Sequence, residues 1–88
     1  MLSPGERKTL KARAHKLEPV VIIGAKGLTD DVVAEVDRAL TARELIKVRA
    51  AGLEREARAQ AFSAICQKTG AEPVQQVGKV FVMFRKKP

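Results

Sequence analysis

The sequence predicts an α/β fold: a compact single domain ordered α-β-α-β-α-β-β, with three helices on a small mixed four-stranded sheet. Three observations carry this reading. Val20-Val21-Ile22-Ile23 is an unbroken β-branched run, followed at once by Gly24-Ala25-Lys26-Gly27 and a helix-start signal. Residues 44–50 alternate apolar and basic, the period of a strand with one face covered. The chain closes on two short apolar runs separated by Gly78-Lys79, the mark of a hairpin. At 88 residues there is room for one domain, spanning 1–88, with one modest core. Hydrophobic residues at 45% against 31% charged make it globular rather than disordered.

The elements follow in order. Ser3-Pro4-Gly5-Glu6 opens the first helix, with Ser3 as cap, Pro4 at the first helical position and Glu6 completing a capping box. Leu10, Ala14 and Leu17 recur at helical spacing and form its apolar stripe. Arg7, Lys8, Lys11 and His15 fall on a neighbouring face without acids after Glu6, so salt-bridge lacing does not explain them. Pro19 ends this segment, and residues 20–23 are expected to form a strand covered on both faces. Thr29 caps the second helix, with Asp30 and Asp31 in its first turn and Val32, Val33, Val36, Ala39 and Leu40 inward.

In the second strand Ile46, Val48 and Ala50 face inward, and Lys47 and Arg49 form a basic outer row. Gly52 lies in the turn that follows, and residues 54–69 form the third helix, with Phe62, Ile65 and Cys66 inward and Gly70 just beyond its end. Residues 72–77 make a strand whose Pro73 suits a start or an edge. Residues 80–84 make the last strand, and Arg85-Lys86-Lys87-Pro88 is a basic tail. The two crossover helices lead us to expect parallel strand pairs, and the last two strands an antiparallel hairpin.

Seventeen Lys and Arg against ten Asp and Glu give a net charge of +7. That excess suits a polyanion, nucleic acid ahead of an anionic membrane. The second helix carries Asp30, Asp31, Glu35 and Asp37, so positive charge is concentrated elsewhere. No apolar run approaches the ~18 residues of a membrane span, and Lys8, Lys11, Arg13 and Lys16 interrupt any secretory signal. A cytoplasmic protein is expected, with no membrane partner.

Catalytic chemistry finds little purchase. One histidine, one cysteine and no Trp or Tyr offer no catalytic triad, no CxxC zinc pair and no cofactor site. Cys66 is expected in the core. We expect no catalytic residue, no metal and no small-molecule substrate.

The Gly24–Gly27 stretch carries the functional expectation. It is neither GxxxxGK[ST] nor GxGxxG, so a nucleotide cradle is unsupported. Its glycines permit φ > 0 and close backbone approach, its N–H groups are exposed, and Lys26 stands at the tip before a helix N-terminus. The expected ligand is a nucleic-acid backbone. With three Phe as the only aromatics, contact with phosphate, 2′-OH and shape is expected over base stacking.

The stretch from Leu17 to Thr29 (LEPVVIIGAKGLT) resembles the signature of the CRM domain, named for chloroplast RNA splicing and ribosome maturation. Glu44-Leu45-Ile46-Lys47-Val48 and the stretch from Val77 to Arg85 resemble its second and third signatures. The stand-alone form is similar to the bacterial YhbY-like proteins. The resemblance implies a fold akin to the C-terminal domain of translation initiation factor three. It implies RNA binding through a GxxG loop comparable in role to that of KH domains, and association with precursors of the large ribosomal subunit. The expected RNA-binding residues are Gly24, Ala25, Lys26 and Gly27 with Arg7, Lys8 and Lys11, then Lys47, Arg49, Lys79 and Arg85. The expected partner is large-subunit rRNA or its precursor particles, bound by a monomer. The competing expectation is a protein-interaction module on the ribosome with little direct RNA contact.

Overall fold

The first helix is set by its capping box. In the computed structural model, which describes residues 2–87, α1 spans Pro4–Ala14. The Glu6 N–H donates to Ser3 Oγ at 3.1 Å, and the Ser3 N–H donates to Glu6 Oε1 at 3.1 Å. This bonding, with the backbone N–H of Ser3 first, holds the Glu6 carboxyl below its ordinary value. The helix ends at Ala14, short of Leu17, which lies in the connection but still packs beside Leu10 and Ala14.

The remaining elements are β1 (Pro19–Ile22), α2 (Asp30–Arg43), β2 (Leu45–Arg49), α3 (Arg55–Thr69), β3 (Glu72–Val77) and β4 (Val80–Phe84). They form one four-stranded sheet in the order β1-β2-β4-β3. β1 pairs with β2 in parallel, and β4 pairs antiparallel with both β2 and β3. Only one of the two crossovers therefore joins paired parallel strands. The chain leaves β2 through α3, enters β3 at the sheet edge, and returns by the hairpin to fill the gap with β4. Pro73 is accommodated because β3 is an edge strand with a register shift between Pro73 and Gln75.

The two faces of the sheet are covered unequally. On one face α2 and α3 bury Val21, Ile23, Ile46, Val48, Phe81 and Met83 against Val36, Leu40, Phe62 and Ile65. Phe62 and Phe81 stack with centroids 4.6 Å apart. Each such buried side chain contributes about 1.5–3 kcal/mol. On the other face α1 packs on β2, β3 and β4, where Leu10 and Ala14 meet Leu45, Val74 and Val82. Phe84 packs there as well.

This asymmetry corrects the expectation for the first strand. β1 is not covered on both faces: Val20 is 40% and Ile22 64% exposed, while Val21 is 3%. β1 is an edge strand, and α1 lies over its neighbours. The basic row on β2 is likewise graded, with Leu45 buried beneath α1, Lys47 half-buried and Arg49 exposed.

Arg85 fastens the opposite end of the sheet. Its Nη1 donates to Asp37 Oδ1 at 2.6 Å and to the Thr69 carbonyl at 2.7 Å. Its Nη2 donates to Thr41 Oγ1 at 2.8 Å and to the Asp37 carbonyl at 3.1 Å. The end of β4 is thus tied to the C-terminal halves of α2 and α3. Next to it Glu44 turns the chain from α2 into β2 at φ 64°, and its carbonyl accepts the Arg85 N–H at 2.9 Å.

Replacing Arg85 with Ala should lower stability by about 1–2 kcal/mol, because the Thr69 carbonyl and Asp37 lose a charged donor. Thermal unfolding should fall by roughly 5–15 °C. Burial, then the nearby Glu72, pushes the Cys66 thiol up to about 11. The folded value lies above that of the unfolded chain, 9.0, so the thiol's stabilising effect is complete below that pH and is lost as pH rises through about 11. Urea titrations should show wild type losing more stability than Cys66→Ala across that window. Iodoacetamide at pH 8 should label Cys66 only when the chain is unfolded.

Candidate nucleic-acid interface

The glycine loop is a tight turn closed on itself. The Gly27 N–H donates to the Gly24 carbonyl at 3.0 Å, which leaves Ala25 and Lys26 exposed at the tip. Gly27 adopts φ 73°, a conformation that favours glycine. The Thr29 N–H then donates to the Gly27 carbonyl at 3.1 Å, and Thr29 Oγ1 accepts from the Val32 N–H at 3.2 Å to start α2. Asp30 and Asp31 already place two carboxylates on the first turn of that helix. An anion at the loop therefore meets the exposed Ala25–Lys26 tip before it meets the helix end.

Gly24 and Gly27 have different reasons to be glycine. A Cβ on Gly24 would meet nothing within 4 Å, and its φ is not left-handed. Neither strain nor internal packing requires glycine there, and its open side faces away from the protein. The close backbone approach is made instead from Gly52. A Cβ on Gly52 would run into the Gly24 carbonyl carbon and the Ala25 nitrogen. The Gly52 N–H also donates to the Ile23 carbonyl at 3.0 Å. Gly52 is thus the support on which the loop rests. In sequence it is one more loop glycine, and only the parallel pairing of β1 with β2 brings it opposite Gly24.

The structure gathers some of the expected cations and separates others. β1 and β2 run in parallel, so the Gly24–Gly27 loop and Arg49 lie at the same end of the sheet. The Ala50 N–H donates to the Lys79 carbonyl at 2.6 Å, which brings the β3–β4 turn to that end too. Lys11 and Lys47 come together across a groove between α1 and the sheet, joined by His15, Gln75, Val77 and Val80. Lys8 is exposed on α1, but Arg7 is half-buried with its Nε enclosed. Arg85 stands apart, at the far end of the sheet, with its guanidinium committed to Asp37, Thr41 and Thr69. The basic face of α1 is thus divided: Lys11 and His15 reach the groove, and Arg7 does not.

Charge reinforces the grouping. The Arg85–Asp37 ion pair lies at the far end of the sheet from Lys26, Arg49 and Lys79. Lys26, Arg49 and the Lys79 turn share the loop end of the sheet with Asp30 and Asp31, while Lys11 and Lys47 add positive charge in the adjoining groove. Among the described residues, no group of three or more His, Cys, Asp or Glu could hold a metal ion, and no helix is long and apolar enough to cross a membrane.

Comparison with known proteins gives this arrangement a context. A protein of Haemophilus influenzae named as an RNA-binding protein is 44% identical over 84 residues, covering 96% of this chain and 85% of the relative. One of Pseudomonas aeruginosa, named "Probable RNA-binding protein", is 39% identical over 87 residues, covering 99% of this chain and 84% of the relative. The solution structure of a hypothetical protein from Staphylococcus aureus superposes with a TM-score of 0.88 at 27% identity, over 100% of this chain and 92% of that one. The CRS1 / YhbY (CRM) domain matches residues 2–85, and the chain belongs to that family.

Proposed function

We propose that this protein binds RNA through the Gly24–Gly27 loop and the cations around it, and that it serves assembly of the large ribosomal subunit in the cytoplasm. The observation that carries the RNA reading is the pairing of an open Gly24 with Lys26, Arg49 and the Lys79 turn at one end of the sheet. A sugar-phosphate backbone can pass where Gly24 has no side chain. Lys26 then meets its phosphates, while Arg49 and Lys79 extend the contact. The names of the relatives from H. influenzae and P. aeruginosa favour the same polymer. Large-subunit precursors enter through the signatures shared with the family.

The protein's part is recognition rather than reaction. Each phosphate neutralised on a single strand contributes a slope of about −0.7 to the log–log salt dependence of binding. Loop contacts position the strand without reading its sequence.

Lys26→Ala should weaken binding to unrelated RNAs alike and flatten the salt slope by about 0.7, measured by fluorescence anisotropy from 50 to 300 mM salt. An unchanged slope and affinity would remove Lys26 from the site. Gly24→Ala should leave the thermal melt unchanged or raise it slightly, since the position is neither strained nor crowded, yet reduce RNA affinity at least fivefold. Full affinity in Gly24→Ala would mean that no ligand backbone passes there. In cells, crosslinked RNA should map to large-subunit rRNA and the protein should co-sediment with its precursors. Crosslinks confined to small-subunit rRNA or mRNA would overturn that assignment.

A further inference from the structure

The uncovered half of the sheet carries a feature that phosphate contact alone leaves unused. Ile22 pairs with Arg49, Arg49 with Val80, and Val80 with Val77, so these four residues form one row across all four strands. They share a face. Val21 and Ile23 point into the α2–α3 core, which turns Ile22 to the other side. Arg49 and Val80 lie two residues along from Lys47 and Val82, on the face where Val82 meets α1. Beyond the edge of α1 this row is open: Ile22 is 64% and Val77 57% exposed. At about 4.8 Å per strand the row is roughly 14 Å wide. The result is an aliphatic platform with a guanidinium set into it, bordered by the groove that holds Lys11, His15 and Lys47.

We infer that this platform receives the bases of single-stranded RNA, with unpaired bases lying on Ile22, Val80 and Val77 and against the plane of Arg49. The inference rests on the RNA-binding reading above and adds the form of the RNA. Charge complementarity selects an anionic occupant: the row and the groove carry Lys11, Lys47 and Arg49 and no acid. The apolar side chains select among anions. An A-form duplex keeps its base faces stacked inside and offers phosphates and 2′-hydroxyls, which leave valine and isoleucine no apolar partner. Unstacked bases offer both an apolar face and a flanking phosphate, and an arginine plane can stack on them without an aromatic ring. The scarcity of aromatics therefore does not exclude base contact on this face. A strand entering over Gly24 reaches the platform directly, because Ile22 lies two residues before that glycine.

The test uses the full chain, a labelled ten-nucleotide single-stranded RNA and a blunt duplex of the same sequence, compared by anisotropy at equal salt. The single strand should bind at least tenfold tighter. The double variant Ile22→Ser/Val77→Ser should weaken single-strand binding at least fivefold with an unchanged salt slope, since no cation is removed. Both side chains are exposed, so its thermal melt should match wild type. Arg49→Lys should weaken single-strand binding with the slope retained, because charge is kept and planarity lost. Photocrosslinks from 4-thiouridine should map to peptides containing Ile22 or residues 77–80. Equal or tighter duplex binding, or wild-type affinity in the double variant, would overturn the platform while leaving RNA binding intact. Crosslinks confined to the Lys26 peptide would do the same. Loss of binding to an acidic protein, with RNA binding untouched in the double variant, would assign the platform to a protein partner and overturn the inference. Failure of wild type to bind either RNA would overturn the RNA reading itself.

Discussion

Two backbone hydrogen bonds at Ile23 decide where the loop stands. Its N–H donates to the Arg49 carbonyl at 2.7 Å, and its carbonyl accepts from Gly52 at 3.0 Å. The parallel ladder of β1 and β2 is thereby extended by one residue on one strand and carried into the following turn on the other. Ile23 itself is fully buried against α2 and α3. The exposed Gly24–Gly27 turn therefore begins one residue from the core. A loop anchored so close to its tip loses little further conformational freedom when a ligand settles on it, and less ordering is charged against binding.

The starts of the first two helices were legible because their signals are local, whereas the end of α1 at Ala14 was not. Ser3 and Glu6 cap each other across three residues, and Thr29 caps Val32 across the same distance. Strand positions were legible to within a residue from alternation and β-branching. What could not be read was adjacency. The α3 crossover fixes a direction for β3 but not its neighbour, and β4 takes the place beside β2. For the same reason Val20–Ile23 read as a fully covered strand: an apolar run looks alike at the centre and at an edge. The sequence announces the apolar side chains but not that α1 stops short of them.

The site was read in the same uneven way. The loop was legible from its glycines and Lys26, which are contiguous. Arg85 was counted with the cations of the surface because its partners Asp37 and Thr41 lie more than forty positions earlier, and no local pattern announces the clamp. Gly52 reads in the sequence only as a turn residue for a related reason, since its glycine is needed by a backbone across the sheet. Arg7 and Lys11 are one helical turn apart and both half-buried, yet Lys11 lines the groove while the Nε of Arg7 is enclosed. Helical spacing places both on one stripe but cannot tell where the packed sheet ends.

The clamp at Arg85 has a consequence for how such a domain can change over time. It concentrates polar stabilisation at one pole of the sheet, where β4 ends, while the loop and its cations occupy the other. Sites this far apart, with no shared partner, contribute to stability almost independently. Substitutions that retune the cationic pole can therefore accumulate without eroding the clamp, and losses of stability elsewhere can be restored at the clamp without altering the cationic surface. The two poles form separable modules of inheritance within a chain of 88 residues.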